Sequence, residues 1–102
     1  MALPLDMIKT FGGKKTESIW NRTYVKKLPE ALQNKAFRKL RMIDAARNIT
    51  DLKIPPSNRL EKMKGKWGKY HSIRVTEQYR IWFIWENGNA LNVEFGDYHD
   101  KL

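Results

Sequence analysis

Cysteine is absent from this 102-residue chain. Its absence excludes a disulfide framework, and no thiolate is available as a metal ligand or as a nucleophile. No apolar run approaches the roughly 20 residues that a membrane-spanning helix requires. Residues 1–6 also lack the charged start of a secretory signal. We therefore expect a cytosolic (cytoplasmic) protein that has no membrane partner.

Histidine is scarce as well, because only His71 and His99 are present. A closed structural zinc site built from two imidazoles needs unusual ligation, so we predict neither a metal nor a cofactor. The segment Gly65-Lys66-Trp67-Gly68 has neither the spacing nor the strand–helix context of a phosphate-binding glycine loop. No serine lies in a strand-to-helix elbow, which leaves a Ser/His/Asp hydrolase unsupported.

Positive charge is plentiful: the chain has 20 Lys and Arg residues and 11 Asp and Glu residues, which gives a net charge of +9. Residues 1–52 carry eleven basic and five acidic side chains, and residues 53–80 carry eight and two, whereas residues 81–102 carry one and four. A field of this sign attracts phosphate backbones and other polyanions. The middle of the chain therefore indicates a nucleic-acid partner, with a merely solvated basic surface as the alternative.

The first half of the chain is predicted to form one strand and two helices. Alternating apolar residues over 7–11 indicate a strand that ends at a pair of glycines. Thr16 followed by Glu17 suits a helix start, because the hydroxyl caps amide groups and the acid favours the dipole. A second helix begins at Pro29 and stops near Asn48. Its expected core-facing stripe is Leu32, Ala36, Leu40 and Ile43, while Lys35, Arg38 and Arg41 point away.

The second half reads as strands that follow a break at Pro55-Pro56-Ser57-Asn58. Alternating or continuously apolar runs predict these strands over 59–63, 71–75, 79–85 and 90–95. We therefore predict one α+β domain, in which two N-terminal helices pack on a small, mainly antiparallel sheet of about four to five strands.

The Asn87-Gly88 pair predicts a hairpin turn and fixes its register. The register pairs Ile84 with Leu91, Trp82 with Val93, and Arg80 with Phe95. Arg80 then lies at the end of the hairpin remote from the turn, where the chain continues through Asp97, Tyr98 and His99. We expect a guanidinium, a phenol and an imidazole to converge at one rim of the sheet.

A basic and aromatic loop precedes this hairpin, and it favours single-stranded RNA. Lysines hold phosphates, and an aromatic ring stacks an unpaired base for about 1–3 kcal/mol per base. A solvated turn in which Trp67 packs on the core is the alternative. The predicted RNA-binding residues are Arg59, Lys62, Lys66, Trp67, Lys69 and Arg74.

RNA cleavage without a metal uses the 2′-hydroxyl as nucleophile and needs a base, an acid and a cation near the phosphorane. For Glu61 a surface acid is the alternative interpretation, and for His99 a frayed tail. The side chains of the right type for catalysis are Glu61, Lys64, Arg80, Tyr98 and His99.

Five stretches of the sequence carry a family resemblance. They are Met7-Ile8-Lys9-Thr10-Phe11; Leu40-Arg41-Met42-Ile43-Asp44-Ala45-Ala46; Asp51-Leu52 with Pro55-Pro56-Ser57-Asn58-Arg59-Leu60-Glu61; Tyr70-His71-Ser72-Ile73-Arg74-Val75-Thr76-Glu77-Gln78-Tyr79-Arg80-Ile81; and Asp97-Tyr98-His99. In these stretches the chain resembles the HigB branch of the RelE/ParE toxin superfamily, also described as plasmid-maintenance killer proteins. The match runs in order over roughly residues 7–99, so we expect a toxin domain over 7–102 and an N-terminal extension over 1–6.

The resemblance implies a ribosome-dependent mRNA endonuclease (mRNA interferase) that inhibits translation as the toxin of a type II toxin–antitoxin system. It implies a helix-turn-helix, HigA-like antitoxin as partner, the ribosome and A-site mRNA as targets, and operator DNA contacted only through the antitoxin. The same fold serves ParE-like toxins that inhibit gyrase, which leaves that activity as one alternative. A non-catalytic RNA- or ribosome-binding module is the other.

The resemblance also implies roles for individual residues. Lys64 matches the lysine before a glycine, and Arg80 matches the strand arginine that clamps the phosphate. Asp97, Tyr98 and His99 match the C-terminal Asp-Tyr-His, with His99 as acid or base. Two positions depart from the family pattern. Glu61 stands where some members have a histidine, and Thr76 stands where some have an arginine. Arg74 replaces that arginine if the side chain of Arg74 faces the cleft.

Overall fold

A computed structural model describes residues 8–101, with side chains described for 8–99. Met7 and the predicted extension over residues 1–6 lie outside the described residues. None of the described helices is long and apolar enough to cross a bilayer. The elements are α1 (Lys14–Trp20), α2 (Glu30–Ala45), β1 (Glu61–Lys62), β2 (Tyr70–Arg74), β3 (Tyr79–Glu86) and β4 (Asn89–Asp97), joined in part by short 3₁₀ turns. The α+β prediction is confirmed at this level.

The four strands form one antiparallel sheet in the order β1-β2-β3-β4. The predicted N-terminal strand is present only as two isolated parallel bridges to β4, Ile8 to Ala90 and Phe11 to Val93. A regular ladder does not form between them because Asn92 takes a left-handed conformation (φ 52°), and its amide donates instead to the hydroxyl of Thr10 (2.7 Å).

Helix α1 begins, and helix α2 ends, at a different residue from the one that the sequence predicts. The prediction that α1 starts at Thr16 is wrong, because the helix begins at Lys14. The buried Thr16 hydroxyl accepts the Phe95 amide (2.9 Å) and so ties α1 to β4 instead of capping the helix. Helix α2 follows Pro29 as predicted, but it ends at Ala45, because Ala46 is extended and Asn48 starts the next 3₁₀ turn.

The hydrophobic core lies between the helices and one face of the sheet. The predicted stripe on α2 is confirmed, with Ala36, Leu40 and Ile43 fully buried and Leu32 partly buried. Its exposed partners Lys35, Arg38 and Arg41 face solvent. The sheet contributes Ile73, Ile81, Phe83, Ala90, Val93 and Phe95 to this core.

The predicted hairpin register holds near the turn and fails beyond it. Ile84 pairs with Leu91 as expected, but a bulge follows and shifts every later pair by one residue. The extra residue lies in β4, where the left-handed Asn92 is accommodated. Trp82 therefore pairs with Glu94, Ile81 with Phe95, and Arg80 with Gly96. The strand predicted over 59–63 is also shorter than expected, since Arg59 is left-handed (φ 45°) and only Glu61–Lys62 pair with β2.

The sheet face opposite the helices carries polar and aromatic side chains. Because Ile81 and Phe83 point into the core, the alternation of β3 places Arg80 and Trp82 on the other face. The Trp82 ring lies across Gly96, and an added Cβ at Gly96 would come within 2.8 Å of it. Gly96 therefore allows the indole to lie flat against the sheet beside Arg80.

Replacing this glycine should destabilise the fold. Gly96→Ala forces the buried Trp82 ring to shift, and we expect a loss of about 1–3 kcal/mol in the free energy of unfolding, measured by urea titration. Gly13→Ala is the matched control, because no heavy atom lies within 4 Å of its added Cβ, and its cost should stay below about 1 kcal/mol. Equal stabilities for the two variants would contradict this packing.

Candidate active site

Arg80 is the most constrained charged residue on the open face of the sheet. It is only 7% exposed, its Nε donates to the Ser72 hydroxyl (3.0 Å), and its Nη2 donates to the carbonyl oxygen of Arg59 (2.6 Å). Burial lowers the pKa of Arg80, and the nearby carboxylate of Glu61 acts in the opposite direction. A guanidinium has five N–H donors, and these two contacts use two of them.

Tyr98 and Glu61 form a hydrogen-bonded pair beside this guanidinium. The Tyr98 ring centroid lies 5.2 Å from Cζ of Arg80, and its hydroxyl donates to Oε1 of Glu61 (3.1 Å). That hydrogen bond, followed by burial, raises the pKa of Tyr98. The phenol therefore keeps its proton at neutral pH and serves as a hydrogen-bond donor to Glu61. Glu61 is placed by strand pairing with Ser72, the same residue that anchors Arg80.

An open hollow of about 530 Å³ adjoins this pair, which we call the lysine hollow. Trp67 is partly buried, lies outside the hydrophobic core, and meets Tyr70 edge-on at 5.6 Å. Its packing on the core, the alternative interpretation, is therefore not what the structure shows. The hollow is lined by Glu61, Lys62, Met63, Lys64, Lys66, Trp67 and Tyr98.

His99 belongs to a different hollow. Its Nδ1 lies 3.0 Å from Oδ1 of Asp97, and its amide donates to the same oxygen (2.9 Å). An ionised carboxylate only accepts, so we assign a proton to Nδ1, and Nε2 is left for chemistry. With Arg74, Glu77 and Gln78, His99 lines a concavity that we call the tail hollow.

Asp97 is held as a carboxylate by its neighbours. The side-chain amide of Gln78 donates to its Oδ2 (2.8 Å), and this contact, followed by the His99 amide, lowers the pKa of Asp97. Stabilisation of this kind is fully present above the ordinary aspartate pKa and is lost as the pH falls through the lowered folded-state pKa. Asp97 is thus charged at neutral pH and able to orient the imidazole.

The expected convergence at one rim is only partly found. Arg80, Tyr98 and Glu61 come together, and Glu61 and Tyr98 line the lysine hollow, whereas Arg80 lies behind the Tyr98 contact and does not line it. His99 lies 6.5 Å from the Tyr98 ring between centroids, and it lines the tail hollow rather than the lysine hollow. The site therefore consists of two hollows: Tyr98 lines the first, and His99, the next residue in the chain, lines the second.

The remaining predicted RNA-binding residues lie at the margins. Arg59 contributes its carbonyl oxygen to Arg80, while Lys69 is exposed and does not line the lysine hollow. Arg74 lines the tail hollow and pairs with the exposed carboxylate of Glu77 (3.5 Å). No group of three or more histidine and acidic side chains in the described part of the chain is arranged to hold a metal ion.

Sequence reasoning missed two residues that support the site. Ser72 anchors Arg80, and its signal was available, because strand alternation places it on the face away from the buried Ile73. Gln78, which holds Asp97, lies in the tight β2–β3 turn and had no comparable signal. Its contact depends on how the end of β4 meets that turn.

The chain is similar to known proteins. A family model described as a RelE-like toxin of the type II toxin–antitoxin system HigB matches residues 9–99. The chain is 48% identical over 65 residues to a protein named Toxin HigB-1 from Vibrio cholerae serotype O1, covering 64% of this chain and 68% of that one. It is 30% identical over 93 residues to the Endoribonuclease HigB of Proteus vulgaris, covering 91% of this chain and 100% of that one.

A solved structure shares the fold. The solution structure of a conserved hypothetical protein from Helicobacter pylori superposes with a TM-score of 0.57 at 12% sequence identity. The superposition covers 92% of this chain and 96% of the other. At this identity the likeness concerns the architecture alone.

The Glu61–Tyr98 hydrogen bond predicts a measurable titration. In Glu61→Gln the phenol loses its charged acceptor while Arg80 stays, so the pKa of Tyr98 should fall. Phenolate absorbance during an alkaline titration measures this, with a Tyr98→Phe variant subtracted to isolate the one ring. Glu86→Gln, an exposed acid beside the hairpin turn, is the control. An unchanged Tyr98 pKa in Glu61→Gln would refute the pairing.

Proposed function

The chain belongs to the family of RelE-like HigB toxins of type II toxin–antitoxin systems, and we propose that it inhibits translation by cutting mRNA on the ribosome. One observation carries the proposal: a buried guanidinium, Arg80, is held by Ser72 and Arg59 beside the Tyr98–Glu61 pair and a lysine-lined hollow. The relative from Proteus vulgaris, named an endoribonuclease, supports RNA cleavage as the activity of this chain.

Substrate binding falls to the lysine hollow. Lys62, Lys64 and Lys66 are exposed cations that hold backbone phosphates by charge. Trp67 offers a ring on which an unpaired base stacks. Such a surface selects single-stranded RNA by backbone and stacking, and the ribosome supplies the orientation of the message.

The chemistry follows from the position of Arg80. The 2′-oxygen attacks the adjacent phosphorus, a 2′-O–P bond forms, the P–5′-O bond breaks, and the upstream product ends in a 2′,3′-cyclic phosphate. Arg80 stabilises the added negative charge on the phosphorane with donors that its two anchors leave unused. Because the anchors fix the guanidinium in advance, little reorganisation is needed at the moment of reaction.

The proton transfers are assigned from the two hollows. Attack and departure take place on opposite sides of the phosphorus. The candidate base, Glu61, lines the lysine hollow, and the candidate acid, His99, lines the tail hollow. We assign the 2′-hydroxyl proton to Glu61 in the lysine hollow. Nε2 of His99 supplies the proton to the 5′-oxygen, with Asp97 balancing the imidazolium. The Tyr98 hydroxyl holds Glu61 in place. None of these steps uses a metal.

Membership in a toxin–antitoxin family gives this chain an antitoxin partner. We propose that this antitoxin is a HigA-like helix-turn-helix protein that links the toxin to operator DNA. We propose the cytoplasm as the location, since ribosomes and their messages are there.

Arg80 should be decisive for cleavage. With translating ribosomes, Arg80→Ala should slow mRNA cutting by about 10²–10³-fold. Arg80→Lys should recover little, because one ammonium does not replace the fork that reaches Ser72, Arg59 and the phosphate together. Primer extension on the translated message measures the rate, and Arg41→Ala, an exposed arginine on α2, controls for lost charge.

Three outcomes of that experiment separate the candidate functions. Cuts in register with codons, with gyrase supercoiling intact, support the ribosome-dependent nuclease. Loss of supercoiling without mRNA cuts indicates a ParE-like toxin. RNA or ribosome binding that weakens in Arg80→Ala without any cleavage in the unmodified protein indicates a non-catalytic module. Unchanged cutting by Arg80→Ala would show that the site is assigned wrongly.

The mechanism makes a separate prediction about the message. A single 2′-deoxy nucleotide at the cleavage position should abolish the cut there, because the nucleophile is gone. Products from the unmodified message should carry a 2′,3′-cyclic phosphate and a 5′-hydroxyl, which end-specific labelling detects. A 5′-phosphate product, or full cutting of the deoxy-substituted message, would exclude 2′-hydroxyl attack.

A further inference from the structure

A third hollow lies beyond the two that form the candidate site. It has a volume of about 310 Å³ and lies where α2 meets the Pro56–Asn58 turn and the connection between β2 and β3, and we call it the helix hollow. Three cations and one acid line it, so its charge is positive. The residues that matter are Lys35, Lys39, Ser57, Arg74 and Glu77.

Lys39 is the unusual member of this hollow. Its side chain is nearly buried, with 8% of the residue exposed, and its ammonium donates to Oδ1 of Asn58 (2.6 Å). Asn58 is fully buried and is fixed in turn by the carbonyl oxygens of Leu52 (3.2 Å) and Ile54 (3.4 Å). An ammonium has three donors, and among the described residues Asn58 is its one hydrogen-bond partner. Lys39 is thus a rigidly placed cation with donors to spare.

The electrostatics of this lysine favour an anion. Burial, followed by the charges of Lys35 and Arg38, lowers the pKa of Lys39. A buried cation among other cations is destabilising unless something compensates it. A bound anion that accepts from Lys39 would relieve both the burial and the crowding.

The helix hollow adjoins the tail hollow of the candidate site. Arg74 and Glu77 line both the helix hollow and the tail hollow. The tail hollow holds His99, and the Tyr98 ring beside His99 lines the lysine hollow. The three hollows therefore follow one another in the order lysine hollow, tail hollow and helix hollow, with basic side chains lining the first and the last, and we call this sequence of hollows the track.

We propose that the helix hollow is a second phosphate-binding site, which takes a phosphodiester of an RNA strand that continues past the reacting centre. Lys39 and Lys35 hold the phosphate and Arg74 directs the strand toward it. The proposal rests on the proposed function for its choice of RNA as ligand. The phosphate belongs either to the message on the side of the leaving 5′-oxygen or to ribosomal RNA, and the two sources share the same chemistry.

Glu77 tunes this site in the free protein. Its carboxylate is 92% exposed and lies 3.5 Å from Arg74, so it partly neutralises the arginine that the two hollows share. An RNA strand entering the hollow has to displace that carboxylate from Arg74. Removing the acid should therefore strengthen RNA binding, an effect that a purely structural role for Lys39 does not predict.

The test compares the salt dependence of RNA binding among matched variants. Fluorescence anisotropy measures binding of a short single-stranded RNA that fills the lysine hollow alone and of a longer one that spans the track, each with 2′-deoxy substitutions to prevent cutting. Lys35→Ala and Lys39→Met should each reduce the salt slope for the longer RNA by about 0.7, the value for one phosphate contact on a single strand. Glu77→Gln should tighten binding of the longer RNA, and none of the three should affect the short one.

Two controls test whether a change in salt slope comes from the helix hollow itself, rather than from lost charge or lost folding. Arg38→Ala removes an equal charge from the same helix but does not line the hollow, so its salt slope should match that of the unmodified protein. Lys39→Met leaves Oδ1 of Asn58 without its donor, so this variant is checked for folding by circular dichroism. Lys35 is exposed, so Lys35→Ala should fold and keeps the test valid if Lys39→Met does not fold.

A second arm distinguishes the source of the phosphate, with ribosomes that carry no message. If the lysine variants weaken binding of the longer RNA, the phosphate is the message's. If they weaken only ribosome binding, it is that of ribosomal RNA, and either result supports the site. Unchanged salt slopes in both arms, slopes that Arg38→Ala lowers equally, or a loss confined to antitoxin affinity would overturn it. A protein that binds RNA in this way but never cuts it would refute the proposed function and leave this site standing.

Discussion

The buried guanidinium of Arg80 is the constraint on which the rest of the site depends. A charge taken out of water is tolerated only if its donors are satisfied. Ser72 on β2 and the carbonyl oxygen of Arg59 meet part of that demand, the Tyr98–Glu61 pair lies beside it, and the donors left over are the ones that the proposed mechanism assigns to the phosphate. One side chain thus holds the short edge strand, the sheet and the C-terminal turn in a fixed relation. The lysine hollow forms beside that arrangement.

Much of the architecture could be predicted from periodicity. The stripe of Ala36, Leu40 and Ile43 required a core-facing helix, and the apolar β3 with its Asn-Gly turn required a hairpin. The bulge in β4 could not be predicted in the same way. It depends on Asn92 accepting a left-handed backbone while its amide bonds the Thr10 hydroxyl, which lies 82 residues away in the chain. Local pattern carries no information about such a contact.

The candidate site was predictable as a set of residue types rather than as a geometry. Charge and family resemblance identified Arg80, Tyr98 and Glu61, and the structure places them together. The same reasoning predicts His99 in one shared hollow, but Asp97, which Gln78 holds, fixes the imidazole in the tail hollow instead. Nothing in the sequence distinguishes Lys39 from the exposed lysines of the chain, and its burial against Asn58 is evident only from the fold.

The most direct test of this account is a double-mutant cycle on mRNA cleavage that joins Ser72→Ala with Arg80→Lys. If Ser72 acts by holding the guanidinium, Ser72→Ala slows cleavage in the unmodified protein and has little further effect in the Arg80→Lys background. Rates measured on translating ribosomes, with each variant's stability checked by urea unfolding, decide the matter. Full additivity of the two substitutions would contradict the claim that an anchored Arg80 stabilises the reacting phosphate.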